Sequence, residues 1–174
     1  MRQLVSILIG KVYFMDIVTS SQIEIFLKLF LAAFLGALIG LEREYKRKEA
    51  GFRTYSLVSL GAALFTIAGF KAFSFFSEQV KAGISFDPTR VIGSIAIGVG
   101  FIGAGLIIYR QSHIEGLTTA AGLWLAAGIG ATVGSQLYFT AIFATLLAIG
   151  ILSGLRIIEE KYFGKKFKEI EEKS

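Results

Sequence analysis

Five apolar runs, each 16 to 19 residues long and bounded by charge or turn residues, leave this chain few folds to choose from. They cover Ile23–Leu41, Tyr55–Phe70, Val91–Tyr109, Leu117–Gly134 and Leu137–Leu155. A helix crosses the roughly 30 Å of bilayer hydrocarbon with about 20 such residues. Apolar residues make up 54% of the chain and charged ones 18%, whereas an ordinary soluble domain is about a quarter charged. With 20 Gly, a single Pro and no Cys, disorder, collagen and a disulfide scaffold are excluded. The sequence predicts an all-α fold: a polytopic transmembrane helical bundle of about five spans over residues 23–155, with an N-terminal segment 1–22 and a short charged tail 156–174. Leu4–Val18 is apolar but short, and Lys11 and Asp16 interrupt it. That favours an interfacial helix over a sixth span or a cleaved signal, since no small-x-small site follows it.

Charge sets the expected orientation. Twelve of the 18 basic residues fall in the linker Glu42–Arg53, at Arg110 and in the tail after Leu155, which alternating spans place on one side. By the positive-inside rule the N-terminus is outside and the C-terminus cytoplasmic. The net charge of +5 then reflects topology and contact with anionic lipid, and nothing in it calls for nucleic acid. Glu24 and Lys28, four apart in the first span, are expected to pair along the helix.

Two self-matches suggest a parallel two-helix repeat. At an offset of 67, Phe34, Gly36 and Ala37 align with Phe101, Gly103 and Ala104; at 65, Gly51, Thr54, Leu60, Ala62 and Gly69 align with Gly116, Thr119, Leu125, Ala127 and Gly134. Two-span units of this kind would be related by an axis along the membrane normal. Chance alignment of Gly, Ala and Leu is the alternative. Small residues also recur every four positions: Ala32, Gly36 and Gly40; Ala96, Gly100 and Ala104; Gly122, Ala126, Gly130 and Gly134. Such seams let helix backbones approach closely inside a bilayer. The last is the longest, so the fourth span should be the most enclosed.

Gly98-Val99-Gly100-Phe101-Ile102-Gly103 has the spacing of a dinucleotide fingerprint, but that motif needs a preceding strand and a polar crevice. In mid-span these glycines, with Gly105, read as packing residues. His113 has no Cys or second His near it, so a zinc site is not indicated. No catalytic constellation can be assembled, and the chain is not read as an enzyme. The candidate functional residues are the polar ones at span ends. Glu42 and Arg43 close the first span, Arg53 and Thr54 open the second, and Thr118 and Thr119 open the fourth. An Arg at mid-bilayer costs at least about 2.5–3.5 kcal/mol, so a charge at a span end snorkels or finds a carboxylate; Glu42 with Arg53 is the expected pair. Asp87 before Pro88 is a strong helix start, with Arg90 one turn further. A Mg²⁺ site wants one or two carboxylates and retained waters. Its candidates, Asp87 and Glu42, fall on opposite sides of the expected topology.

Taken in order, Gly40-Leu41-Glu42-Arg43-Glu44, Gly51-Phe52-Arg53-Thr54, Leu60-Gly61-Ala62-Ala63, Asp87-Pro88-Thr89-Arg90, Gly98 to Gly105 and Gly116-Leu117-Thr118-Thr119-Ala120-Ala121 resemble the MgtC/SapB membrane proteins over about residues 25–155. The resemblance implies a bacterial inner-membrane protein linked to growth at low magnesium and, in pathogens, to survival inside host cells. Members are often described as magnesium transporters. The best-known act by regulating other membrane proteins, including the F-type ATP synthase, with membrane potential and phosphate uptake also implicated. The expectation is a protein with no cofactor, or Mg²⁺ at most, that forms a homo-oligomer such as a dimer and modulates a membrane partner; the alternative is an Mg²⁺ or other ion transporter or channel. Many members carry a further C-terminal soluble domain, and a regulatory role housed there is not expected to carry over to the membrane part read here. Ser94 stands where the family pattern favours a larger polar residue, commonly Gln.

Overall fold

The computed structural model describes residues 2–79, 87, 89–110 and 113–155. The tail 156–174, Pro88 and the side chains of Leu4–Val18 lie outside the described residues. The elements run α1 (Arg2–Tyr45), α2 (Phe52–Gln79), α3 (Thr89–Ala104), β1 (Ile108–Arg110), β2 (His113–Glu115), α4 (Leu117–Gly134) and α5 (Tyr138–Gly150), the last ending in one π turn, Ile151–Leu155. Four stretches are long and apolar enough to cross a membrane: Ser21–Tyr45, Phe52–Phe75, Leu117–Gly134 and Tyr138–Leu155. The backbone of residues 2–20 continues α1 without a break.

The third run departs from expectation. Its helix stops at Ala104 and does not reach Tyr109. Turn hydrogen bonds from the Leu106 and Ile107 amides follow, and then a two-stranded antiparallel ribbon pairs Tyr109 with Ile114. The physical reason lies in the residues: Gly103 and Gly105 weaken the helix end, and β-branched Ile107 and Ile108 beside Tyr109 suit a strand. The ribbon returns the chain to Gly116, whose φ of 87° opens α4. A Cβ there would run into the Leu106 carbonyl oxygen, so only glycine fits this close, left-handed position.

The core sits where α1, α2 and α4 meet. In α4, eleven of eighteen residues are buried, so this is the most enclosed helix, as its seam predicted. α5 buries only Ala141, Thr145 and Ala148. The glycines show how closely the backbones approach. A Cβ on Gly36 would stand 2.5 Å from the Tyr55 carbonyl oxygen, and one on Gly40 2.7 Å from the Phe52 Cα. Along α4, Gly122 faces the Tyr55 hydroxyl, Gly130 the Ser59 backbone, and Gly134 the Thr66 side chain and the Ala63 carbonyl, while Ala126 is fully buried between them. With no hydrophobic force separating helices from lipid, such contact supplies the dispersion energy of association.

The seam expected in α3 is not where the sequence put it. Gly98 and Gly100 meet nothing within 4 Å, and Gly105 meets only its own turn. The buried face of α3 is Val99 and Gly103, the latter against Ala120 of α4. A helix with glycines on several faces packs the one its neighbour covers, and Val99 turns Gly98 and Gly100 outward. The Gly103 contact also bears on the repeat. Gly36 packs on Tyr55 and Gly103 on Ala120, and these pairs are related by the same offsets of 67 and 65 that align the sequence.

Candidate functional site

The end of α1, the turn after it, the starts of α2 and α4 and the end of α5 converge on one polar network. α1 closes in a Schellman arrangement: the Lys48 amide donates to the Arg43 carbonyl and the Arg47 amide to that of Glu44, with Arg47 in the left-handed region at φ 52°. This is the usual way to satisfy terminal carbonyls, here with a non-glycine residue. The chain reverses through buried Ala50. A carboxylate oxygen of Glu44 then accepts from the Phe52 amide at 3.2 Å, placing negative charge at the N-terminus of α2, where the helix dipole favours it. Gly51 leaves the room that carboxylate fills.

Glu42 and Arg43, consecutive on α1, project into different partners. Lys46 Nζ lies 2.5 Å from Glu42 Oε1 and donates to the Leu152 carbonyl in the π turn at 3.2 Å. Ser153 Oγ reaches Glu42 Oε1 at 3.4 Å. Arg43 is only 3% exposed. Its Nη2 donates to Thr119 Oγ1 at 3.0 Å, and that hydroxyl donates to Glu49 Oε2 at 2.8 Å. The Tyr55 hydroxyl donates to the Thr119 carbonyl at 3.2 Å. Between Arg43 Nη1 and Glu42 Oε2 the separation is 3.8 Å. Arg43 Nε and Glu42 Oε2 are buried without a hydrogen bond, so charge, not directional bonding, holds those two groups together. Glu49, in the turn, is held below the ordinary glutamate range first by its own backbone amide and then by the Thr119 hydroxyl.

The expected Glu42–Arg53 pair is therefore corrected. Helical spacing brings Lys46 beside Glu42, and the tight turn leaves Arg53 exposed on α2. Thr54 is half-buried and Thr118 exposed; Thr118 edges an apolar cavity of about 150 Å³ with Ile39, Leu125 and Leu152. Thr119 is the threonine that enters the network. Asp87, Arg90 and Ser94 are exposed and belong to the other end of the bundle. Val91 packs on Gly69, seventeen residues and roughly 25 Å along α2 from Phe52. Asp87 Oδ1 accepts from the Thr89 amide at 2.9 Å and its hydroxyl at 2.6 Å, an N-cap that holds the carboxyl below the usual aspartate range. Asp87 and Glu42 thus do not form one metal site. Among the described residues no three of His, Cys, Asp and Glu come together.

Sequence reasoning missed Lys46, Glu49 and Tyr55. The first was legible as the i+4 partner of Glu42. Tyr55 was visible only as an aromatic at a span start, and Glu49 depends on a turn that no periodicity describes.

Apolar spans, glycine contacts between them and a buried charge network at one end define a multi-pass helical membrane protein. Residues 29–161 match the family model described as the MgtC family, and the chain belongs to that family. It is similar to SapB of Bacillus subtilis (strain 168), 42% identical over 72% of this chain and 53% of the relative. MgtC of Brucella abortus (strain 2308) is 41% identical over 72% of this chain and 48% of its own. YhiD of Escherichia coli (strain K12), provisionally named a magnesium transporter, is 36% identical over 83% of this chain and 66% of its own. The chain spans about half to two thirds of the length of these relatives. No solved structure matches it.

Proposed function

We propose that this is a magnesium-related protein of the bacterial inner membrane, N-terminus outside and C-terminus cytoplasmic, that acts by engaging another membrane protein and conducts no ion itself. The observation that carries this reading is the state of five described carboxylates at the two ends of the bundle. Glu42 is held by Lys46 and Arg43, Glu49 by Thr119, Glu44 by the Phe52 amide, Glu24 by Lys28 and Asp87 by Thr89. A Mg²⁺ site built on any of them would first have to displace an internal partner, whereas Mg²⁺ sites use one or two free carboxylates with bound water. Beside the closed network, Tyr45, Arg47, Lys48 and Arg53 are exposed and offer a basic face with an aromatic anchor to a partner. A second reading, transport of Mg²⁺ or another ion, draws on the equivalent Gly36–Tyr55 and Gly103–Ala120 contacts, since repeats of this kind underlie many transporters.

Sealed vesicles containing the purified protein and a magnesium-sensitive dye separate the two. No gradient-driven uptake is expected. Uptake abolished by Glu42→Gln or Asp87→Asn would overturn the modulator reading. A photocrosslinker placed at Arg53 is expected to capture a membrane protein in cells grown at low magnesium, and the F-type ATP synthase suggested by the resemblance is the first to examine.

A further inference from the structure

At the end of the bundle opposite the charge network, α1, α2 and the turn between α4 and α5 line an open cavity of about 210 Å³ whose polar lining is Ser21, Glu24, Lys28, Lys71, Ser74 and Gln136. Lys28 lies seven residues into the first span, roughly 10 Å past Ser21, and its side chain is 9% exposed. An ammonium at that depth needs a carboxylate or a water-filled cavity to be tolerated, and intramembrane charges of this kind mark ligand or ion sites. Lys28 Nζ is 2.6 Å from Glu24 Oε1, as the sequence predicted for this pair. Lys71 donates to Ser21 Oγ at 3.3 Å and acts electrostatically on the same Glu24. Two ammonium groups from different helices thus stand against one carboxylate, leaving the described lining with one net positive charge. Gln136 occupies the left-handed position after α4, at φ 67°, where glycine is usual. The Leu137 amide donates to the Thr132 carbonyl and the Gln136 amide to that of Val133, so this turn fixes an amide-bearing side chain on the cavity wall.

We propose that this cavity binds a small oxyanion, a phosphate or sulfate group, between Lys28 and Lys71. The paired lysines disfavour a divalent cation, and the mouth beside exposed Lys71 admits an anion from water or a phospholipid headgroup from the leaflet. A volume of about 210 Å³ is well above the roughly 10–15 Å³ that one water needs, enough for one partly hydrated tetrahedral anion. The proposal is independent of the modulator reading, since it concerns the other end of the molecule and is tested by binding alone.

The test is thermal unfolding of the protein in dodecyl maltoside, a phosphate-free detergent, titrated with sodium sulfate and inorganic phosphate against sodium chloride at equal ionic strength. A saturable rise in Tm with the oxyanions is expected. Lys71→Gln, at an exposed position that leaves the fold intact, should weaken it about tenfold. Glu24→Gln, which removes the competing carboxylate, should strengthen it several-fold. Mass spectrometry of the protein released from phosphatidylglycerol nanodiscs distinguishes the source. A phospholipid retained by the wild type but not by Lys71→Gln, with loss of the response to free phosphate, assigns the site to a headgroup; a response that persists in those nanodiscs assigns it to the free anion. No saturable rise together with no differential lipid retention, or a rise indifferent to Lys71→Gln, would overturn the proposal.

Discussion

Replacing Gly130 by Ala tests the helix packing at its tightest point. The added Cβ would fall on the Ser59 carbonyl oxygen, 2.7 Å from the Ser59 carbonyl carbon and 2.9 Å from its Cα. All three are backbone atoms of α2, so no side-chain rotation relieves the clash and one helix must move. Overpacking a close-packed interior costs about 1–3 kcal/mol. Against it stands the gain in helix propensity, about 0.8–1 kcal/mol for Gly to Ala in a helix interior. Gly128 supplies the control. It lies two residues away in the same helix and meets nothing within 4 Å, so Gly128→Ala receives the propensity gain without the clash. The propensity term cancels between the two variants, leaving a difference of about 1–3 kcal/mol, or roughly five- to 150-fold in the unfolding equilibrium. Titration with sodium dodecyl sulfate in mixed micelles, followed by the fluorescence of the single tryptophan, Trp124, measures both. Equal stability of the two variants would refute the packing of α4 on α2 described above.

Thr119→Val keeps the shape of a buried residue but removes the acceptor for Arg43 and the donor to Glu49; a loss of about 1–3 kcal/mol is expected, against little change for exposed Thr118→Val in the same titration. Because the folded-state pKa of Glu49 lies below its unfolded value, the stability it contributes is present at neutral pH and is lost as pH falls through the folded value. An acid-unfolding profile should show a shallower dependence in Glu49→Gln. Asp87→Ala should fray the start of α3, read as faster hydrogen exchange at the Thr89 and Arg90 amides with exchange in α4 unchanged. Gly98→Leu, placed where nothing lies within 4 Å, should leave unfolding of the single chain unaltered; if the open face of α3 joins two copies, native mass spectrometry will show a dimer that this variant loses.

Much of the architecture was legible because the bilayer imposes a length that sequence displays directly. Leu117–Gly134 coincides with α4 to the residue, since Gly116 and the turn at Gln136 bound an apolar run on both sides. The boundaries that shifted did so for local reasons. Helix α1 continues past Leu41 to Tyr45, since charged Glu42, Arg43 and Glu44 remain good helix formers at an interface, and α3 ends early where glycines meet β-branched residues. The network was only half legible. Arg43 and Thr119 stood out as polar residues at span ends, but their meeting, 76 positions apart, depends on α1 and α4 being neighbours. That adjacency follows from the three-dimensional packing of glycines, not from any one segment. The outward turn of Gly98 and Gly100 was hidden for the same reason: a small residue permits close approach without saying which neighbour arrives.

The shortness of α3 reaches beyond the protein itself. Its 16 residues rise about 24 Å, some 6 Å less than a typical hydrocarbon core of roughly 30 Å, while Ser21–Tyr45 has 25 residues and Phe52–Phe75 has 24. Lipid packed along α1 and α2 can keep its full thickness. Lipid beside α3 must thin, at a fraction of a kcal/mol for each ångström, down to the level where exposed Ile108, Tyr109 and Ile114 of the ribbon meet the headgroups. The surrounding annulus is therefore stepped, and the strained side of it is relieved by any neighbour with an equally short span. Hydrophobic mismatch thus sets the two flanks of this molecule apart in what they ask of the surrounding lipid.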